Sequence, residues 1–303
     1  MNKIPEISVI VCTHNRSSML ADCINSLLNQ NIDLENFEIL IVDNNSTDNT
    51  KDITAEFCKK HSNIKYFFEQ TIGYSSPRNC GWKNASGKIV AYIDDDEIAA
   101  PNWIENIINS FQIEEKPDII GGICEVKYDE TPPEWFTNSM GATNKNRQKG
   151  LLNHRADSYL GCGNIALKKD VLEKLNGFSN DFNMKDGFLM MGEDTDICQR
   201  AKSAGFRLYY NPEIIICHRM NSNDYDIEKR KEKAKKMGMS ARFIFGRKPF
   251  FSHYFKYLTY FSMIVADFFM DIFPKKISTK SVLLKEKIAY RKGYFEMDKK
   301  LNK

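Results

Sequence analysis

Ile89-Val90-Ala91-Tyr92-Ile93-Asp94-Asp95-Asp96-Glu97 is an apolar run of strand length that breaks off in four acidic residues. Ile, Val and Tyr suit a buried pleated sheet. Unpaired carboxylates are very costly to bury. The acids are therefore expected to emerge at the strand's carboxyl end, where open α/β sheets hold their ligands. Clustered carboxylates repel one another unless a cation lies among them. Oxygen ligands suit Mg²⁺ or Mn²⁺ shared with substrate phosphates. A solvated acidic turn is the plain alternative.

Upstream, Ile7 to Cys12 and Phe37 to Val42 read as buried strands, and Ile64 to Phe68 as a third. Polar loops follow the first two, Thr13 to Ser18 and Asp43 to Asp48, and each leads into a helix: one to about Asn29, one from Thr50 to Lys60. Alternating strands and helices at this spacing predict parallel strands with right-handed crossovers. Small polar side chains in such loops serve equally as helix caps or as ligand contacts. Asp43 is the first residue after a buried strand and faces the expected ligand edge. No G-x-G-x-x-G follows the first strand, which disfavours a dinucleotide fold, and no P-loop is present. Arg78, in a loop-to-helix segment punctuated by Gly73 and Pro77, offers a planar donor fork or an ordinary ion pair.

Downstream, Trp103, Ile104, Ile107, Ile108 and Phe111 recur at helical spacing and belong to a core. Asp118 to Val126 predicts another strand. Lys127 to His154, with two prolines and Trp135, reads as a long excursion able to close on a substrate. Gly161-Cys162-Gly163-Asn164 suggests close backbone approach to a ligand, or a plain bulge. Three acids, Glu193, Asp194 and Asp196, crowd a helix start and exceed what capping needs, so one is a candidate general base. Phe206 to Tyr210 and Glu213 to Cys217 predict two short strands, with His218 closing the second.

At 303 residues the chain can hold one large domain with an appendage, and 42% hydrophobic and 27% charged residues are ordinary for a globular protein. The net charge of +3 hides an asymmetry: residues 221–303 carry 20 Lys/Arg against 9 Asp/Glu, and residues 1–220 carry 23 against 31. Eight scattered Cys without a CxxC pair predict reduced thiols and a cytoplasmic setting. The first residues lack the layout of a signal peptide.

The order of motifs resembles the family 2 glycosyltransferases of the GT-A fold. The matching pieces are Ser8 to Arg16 (SVIVCTHNR), Glu38 to Thr50 (EILIVDNNSTDNT), Arg78 to Asp96 (RNCGWKNASGKIVAYIDDD), Gly161 to Lys169 (GCGNIALKK) and Gly192 to Gly205 (GEDTDICQRAKSAG) with His218. The resemblance implies an α/β fold with a Rossmann-like, mostly parallel sheet flanked by helices, over residues 1–220. It implies inverting sugar transfer from a nucleotide-sugar, UDP foremost, to a glycan or lipid-linked acceptor. Thr13, Asn15, Arg16, Asp43, Arg78, Asp94 and Asp95 would then line the nucleotide-sugar pocket. Asp96 would ligate Mn²⁺ or Mg²⁺, with Asp94 beside it and His218 a ligand in some members. Asp194 would be the catalytic base, with Glu193 next to it, and Gly163 and Asn164 would lie by the sugar or acceptor.

Residues 221–303 match no general element of that family and read as a basic, amphipathic helical region. Glu228 to Lys236 (EKRKEKAKK) is a charged helix. Phe251, Phe255, Leu258, Phe261, Val265, Phe268 and Ile272 form one stripe. It is too broken for a membrane span. It suits a helix lying on an anionic membrane surface through residues 240–276, on the inner face of the cell membrane, or packing that includes a homo-oligomer contact. No nucleic-acid module is recognisable. A nucleotidyltransferase on a related sheet and a non-catalytic nucleotide-sugar scaffold are the alternative functions.

Overall fold

The computed structural model describes residues 4–141, 147–152, 160–185, 187–246, 259–267 and 277–301. Strands β1 (Ile7–Thr13), β2 (Phe37–Asp43), β3 (Ile64–Phe68) and β4 (Ile89–Asp94) lie parallel in the order β3-β2-β1-β4. Helices α1 (Ser17–Leu28), α2 (Thr50–Lys60) and α3 (Ser75–Asn84) connect them. The apolar runs are continuous because both faces are covered. Ile7, Val9 and Val11 share a core with Leu20, Ile24 and Leu27 of α1, while Ile10 joins Trp82 of α3 on the other face.

Beyond β4 the sheet becomes mixed. Strand β5 (Glu97–Ala99) follows the acidic tip, then α4 (Trp103–Phe111), β6 (Ile119–Tyr128), β7 (Gly150–Leu151), β8 (Ile165–Lys168) and α5 (Lys169–Leu175). β8 pairs antiparallel with both β4 and β6. A small hairpin, β9 (Met184–Lys185) with β10 (Phe188–Leu189), precedes α6 (Glu193–Ser203). β11 (Leu208–Met220) pairs antiparallel with β5 and β7. The two short strands expected over 206–217 are thus one strand of 13 residues. It runs through Pro212, next to which Asn211 Oδ1 accepts the N–H of Glu213 at 3.0 Å. His218 lies inside this strand, opposite Glu97, rather than at its end.

The chain divides into two compact units. The first holds the sheet. The second gathers residues 220–303 with 128–140 and 190–192, so part of the expected excursion belongs to it. Trp135 and Phe136 are buried there, with Phe136 edge-on to Tyr225 and under the Arg230 guanidinium. Residues 142–146 and 153–154 of that excursion lie outside the described residues, as do 155–159 after it.

Helices α7 (Ile227–Phe245), α8 (259–267) and α9 (Thr279–Leu301) complete the second unit. The pairs Arg230–Glu286, Lys235–Glu296 and Arg242–Asp298 rise together along both helices, so α7 and α9 run in the same direction. A Cβ at Gly238 would lie 1.8 Å from the Tyr290 carbonyl, and one at Gly293 1.9 Å from that of Lys235. The two backbones touch because neither glycine carries a side chain. Most of the apolar stripe, residues 251–258 and 268–272, lies outside the described residues.

Candidate active site

Three strand ends are aligned by sheet register. Thr13 ends β1 opposite Asp43, which ends β2, and Asp94 ends β4 opposite Cys12. The acidic run turns from β4 into β5 at this edge. Asp94 reaches the surface, its side chain 41% exposed, as the sequence predicts. Asp95 and Glu97 do not: they are 3% and 5% exposed. The expectation that all four acids emerge is corrected by the partners that the fold supplies.

Asp95 Oδ1 accepts a hydrogen bond from Arg16 Nη1 at 2.9 Å. Burial still pushes its carboxyl up to about 6, against the lowering effect of Arg16 and the Thr13 hydroxyl. Glu97 Oε2 accepts the backbone N–H of Asp94 at 3.0 Å. Burial first, then the charge of Asp94, holds the Glu97 carboxyl well above the usual range. A neutral acid is far cheaper to bury than a carboxylate.

Asp96 Oδ2 lies 2.6 Å from Arg16 Nη1 and 3.4 Å from His218 Nε2. Against burial, which would raise it, the His218 hydrogen bond and the Arg16 charge hold the Asp96 carboxyl below its ordinary value. The Arg219 N–H fixes the Asp96 carbonyl at 2.9 Å, which binds the turn to β11.

The loops after β1 and β2 are tied to each other. Asn15, at φ +53°, donates its N–H to Ser46 Oγ and accepts the N–H of Thr47 on its side chain. Asp43 accepts the Ser46 N–H and the Tyr66 hydroxyl, each at 2.8 Å, and is 2% exposed. Asp43 thus braces the loop after β2 against β3 with one acceptor site on each oxygen. Thr13 is buried beside the same edge, while Asn15 and Arg16 are exposed.

Arg78 is also buried, and its fork serves the protein. Nη1 donates to the Tyr74 carbonyl, and Nη2 lies 3.1 Å from Asp94 Oδ1 and 3.5 Å from Glu193 Oε1. It thereby joins the tip of β4 to the start of α6. Burial raises Glu193 to about 7 despite Arg78. Burial likewise raises Asp194, whose Oδ1 accepts the Thr195 N–H. Asp196 instead pairs with Arg200, one turn along the helix. The Tyr74 phenol, raised by burial and by Glu193, lies in the same field as Asp94 and Arg16. It was not singled out from sequence; its position four residues before Arg78, at the start of α3, is the only signal that could have found it.

Asn164 and Gly163 are placed differently from the sequence expectation. Asn164 is buried, accepts Trp103 Nε1–H, and donates to the carbonyls of Ile123 and Ile214, all at 2.9 Å. Its amide ties α4, β6 and β11, with both N–H groups used and the side chain buried. Gly163 lies against the Glu97 carboxyl.

Among the described residues no three His, Cys, Asp or Glu side chains are grouped to hold a metal ion by themselves. Asp96 Oδ2 and His218 Nε2, 3.4 Å apart, are spaced as adjacent ligands of one octahedral cation, for which about 3 Å follows from bonds of about 2.1 Å. This pair fits a cation whose other ligands come from substrate and water.

The model described as glycosyl transferase family 2 matches residues 8–175. The chain belongs to that family. A second model, described as the N-terminal domain of galactosyltransferase, matches residues 146–237. Glycosyltransferase AglE of Haloferax volcanii is 28% identical over 222 residues, covering 71% of this chain and 67% of AglE. Some curated relatives are much longer: the chain covers 16% of a glycosyltransferase from Rickettsia conorii and 29% of a validoxylamine A glucosyltransferase from Streptomyces hygroscopicus. Mannosyltransferase PcManGT from Pyrobaculum calidifontis, solved with GDP-Man and Mn²⁺, superposes with a TM-score of 0.65 at 15% identity, over 98% of this chain and 86% of that one. TarS 1–349 from S. aureus, solved with UDP, gives 0.55 at 19% identity, over 97% and 92%. The family 2 member described here is a glycosyltransferase of the GT-A type.

Proposed function

We propose that this family 2 glycosyltransferase moves a sugar from a nucleoside diphosphate sugar, UDP foremost, to a glycan or lipid-linked acceptor with inversion. The observation that carries the reading is the convergence on one edge of Asp94, the Asp96–His218 pair and the Glu193–Asp194 helix start. The loops of Asn15 and Asp43 hold the nucleoside side. Asp96 and His218 would hold Mn²⁺ or Mg²⁺, which supplies charge neutralisation to the departing diphosphate. PcManGT was solved with Mn²⁺ and TarS with UDP, which supports the same ligand classes here.

Asp194 takes the acceptor's proton during attack. Its raised proton affinity suits that task, since a base works best with a pKa near the working pH. One base opposite the leaving group suffices for inversion. Arg78 holds Glu193 and Asp94 in place and keeps the carboxylates from repelling one another apart. The test is turnover of a panel of nucleotide-sugars with Mn²⁺ or Mg²⁺. Asp194→Asn should lower turnover by about 10²–10⁴-fold and leave UDP affinity unchanged. Equal loss of both would remove the assigned role.

The enzyme is also proposed to work peripherally on the cytoplasmic face of a membrane. Among the described residues no helix is long and apolar enough to cross one. Phe261, Ile264 and Val265 of α8 are exposed, within the basic region 221–303. Flotation with anionic vesicles tests this, and flotation indifferent to anionic lipid would end it.

A further inference from the structure

Asp96 Oδ2 is asked to do two things. It is the oxygen placed with His218 Nε2 to take a cation, and it already accepts a hydrogen bond from Arg16 Nη1 at 2.6 Å. A guanidinium and a divalent cation on one oxygen repel each other strongly in a partly buried setting. One of them has to leave. The two carboxylates that hold Arg16 are not alike. Asp95 is enclosed, and Asp96 sits nearer the opening, its side chain 13% exposed.

Arg16 is built to be the partner that moves. Its backbone is anchored, because the neighbouring N–H groups of Asn15 and Ser17 donate to Ser46 Oγ and Asp48 Oδ2. Its side chain is half exposed. A guanidinium also has a natural second partner at such a site, since its planar fork matches phosphate oxygens.

We infer that Arg16 is an exchangeable counter-ion, which neutralises Asp96 in the empty enzyme and passes to the donor's diphosphate as Asp96 turns to the divalent cation. This rests on the proposed nucleotide-sugar reading. The exchange replaces the single Arg16–Asp96 pair with two, Arg16 on the diphosphate and Asp96 on the cation. Each ligand thus removes an obstacle to the other, so cation and diphosphate bind with positive coupling.

The experiment measures Mn²⁺ affinity, by the EPR signal of free Mn²⁺, with and without UDP, for wild type, R16Q and R16M. Wild type should bind Mn²⁺ weakly alone and about 10-fold or more tightly with UDP, within the usual range of coupling. Both variants should bind Mn²⁺ alone more tightly than wild type and gain several-fold less from UDP. Direct coordination of phosphate to Mn²⁺ contributes equally to all three proteins, so the difference in coupling isolates Arg16. If Arg16 acted by simple repulsion alone, its removal would tighten Mn²⁺ with and without UDP alike; unchanged coupling overturns the exchange. Should neither variant fold, uridine is the second probe on wild type. It has no phosphate to draw the guanidinium away, and a gain equal to that from UDP overturns the inference. Wild type that binds neither Mn²⁺ nor UDP overturns the donor reading as well. Binding of both with unchanged coupling overturns the exchange alone.

Discussion

A Cβ placed on Gly163 would lie 2.4 Å from Oε1 of Glu97. The two residues are 66 positions apart, and the carboxyl is enclosed with its other oxygen held by the Asp94 N–H. Gly163→Ala should therefore cost about 1–3 kcal/mol, the usual penalty of overpacking. The penalty should shrink when Glu97→Ala removes the obstructing group. A double-mutant cycle by urea denaturation measures it, and additive losses would show that the two do not touch in solution.

Glu193 gives the enzyme a pH-dependent stability. Its carboxyl rises from 4.5 to about 7, chiefly through burial. The folded state therefore binds the proton more tightly than the unfolded chain. That contribution is complete below about pH 4.5 and is lost as pH rises through 7. Glu193→Gln should be more stable than wild type at pH 8, by up to about 3 kcal/mol, with the gap closing toward pH 4.5. Urea melts at pH 5 and pH 8 decide it, and a gap independent of pH would contradict the buried, protonated state.

Asn164→Ala should weaken the fold and leave donor recognition intact. It strips the acceptor from the wholly buried Trp103 indole and the donor from two carbonyls. Groups left unpaired in this way cost about 3 kcal/mol or more together. The readout is melting temperature against KM for the nucleotide-sugar. A raised KM with an unchanged melting temperature would return Asn164 to the sugar site.

Gly238→Ala and Gly293→Ala each put a methyl group into the opposite backbone, which cannot rotate aside. α7 and α9 should part, with a loss of about 3 kcal/mol and early exposure of both helices to hydrogen exchange. Exchange unchanged from wild type would mean that the helices cross more loosely than described.

The parallel strands were legible because a strand buried on both faces has to be apolar along its length, as Phe37 to Val42 and Ile89 to Ile93 are. Asp94 was legible at the strand tip for the complementary reason. The burial of Asp95 and Glu97 was not, because it depends on Arg16 and Gly163, which lie far off in the chain and reach the tip only in the folded sheet. Asn164 beside two glycines reads locally as a ligand loop. Its partners Trp103, Ile123 and Ile214 come from three other elements. β11 reads as two short strands because its apolar run is interrupted at Asn211 and Pro212, a polar residue and one without a ladder donor.

The shared direction of α7 and α9 bears on how the protein can be handled. Two helices side by side and pointing the same way cannot be spliced by a tight turn, which would reverse one of them. Residues 279–301 are half of a pair rather than a dispensable tail, and shortening the chain before Thr279 would leave the notch at Gly238 open to water.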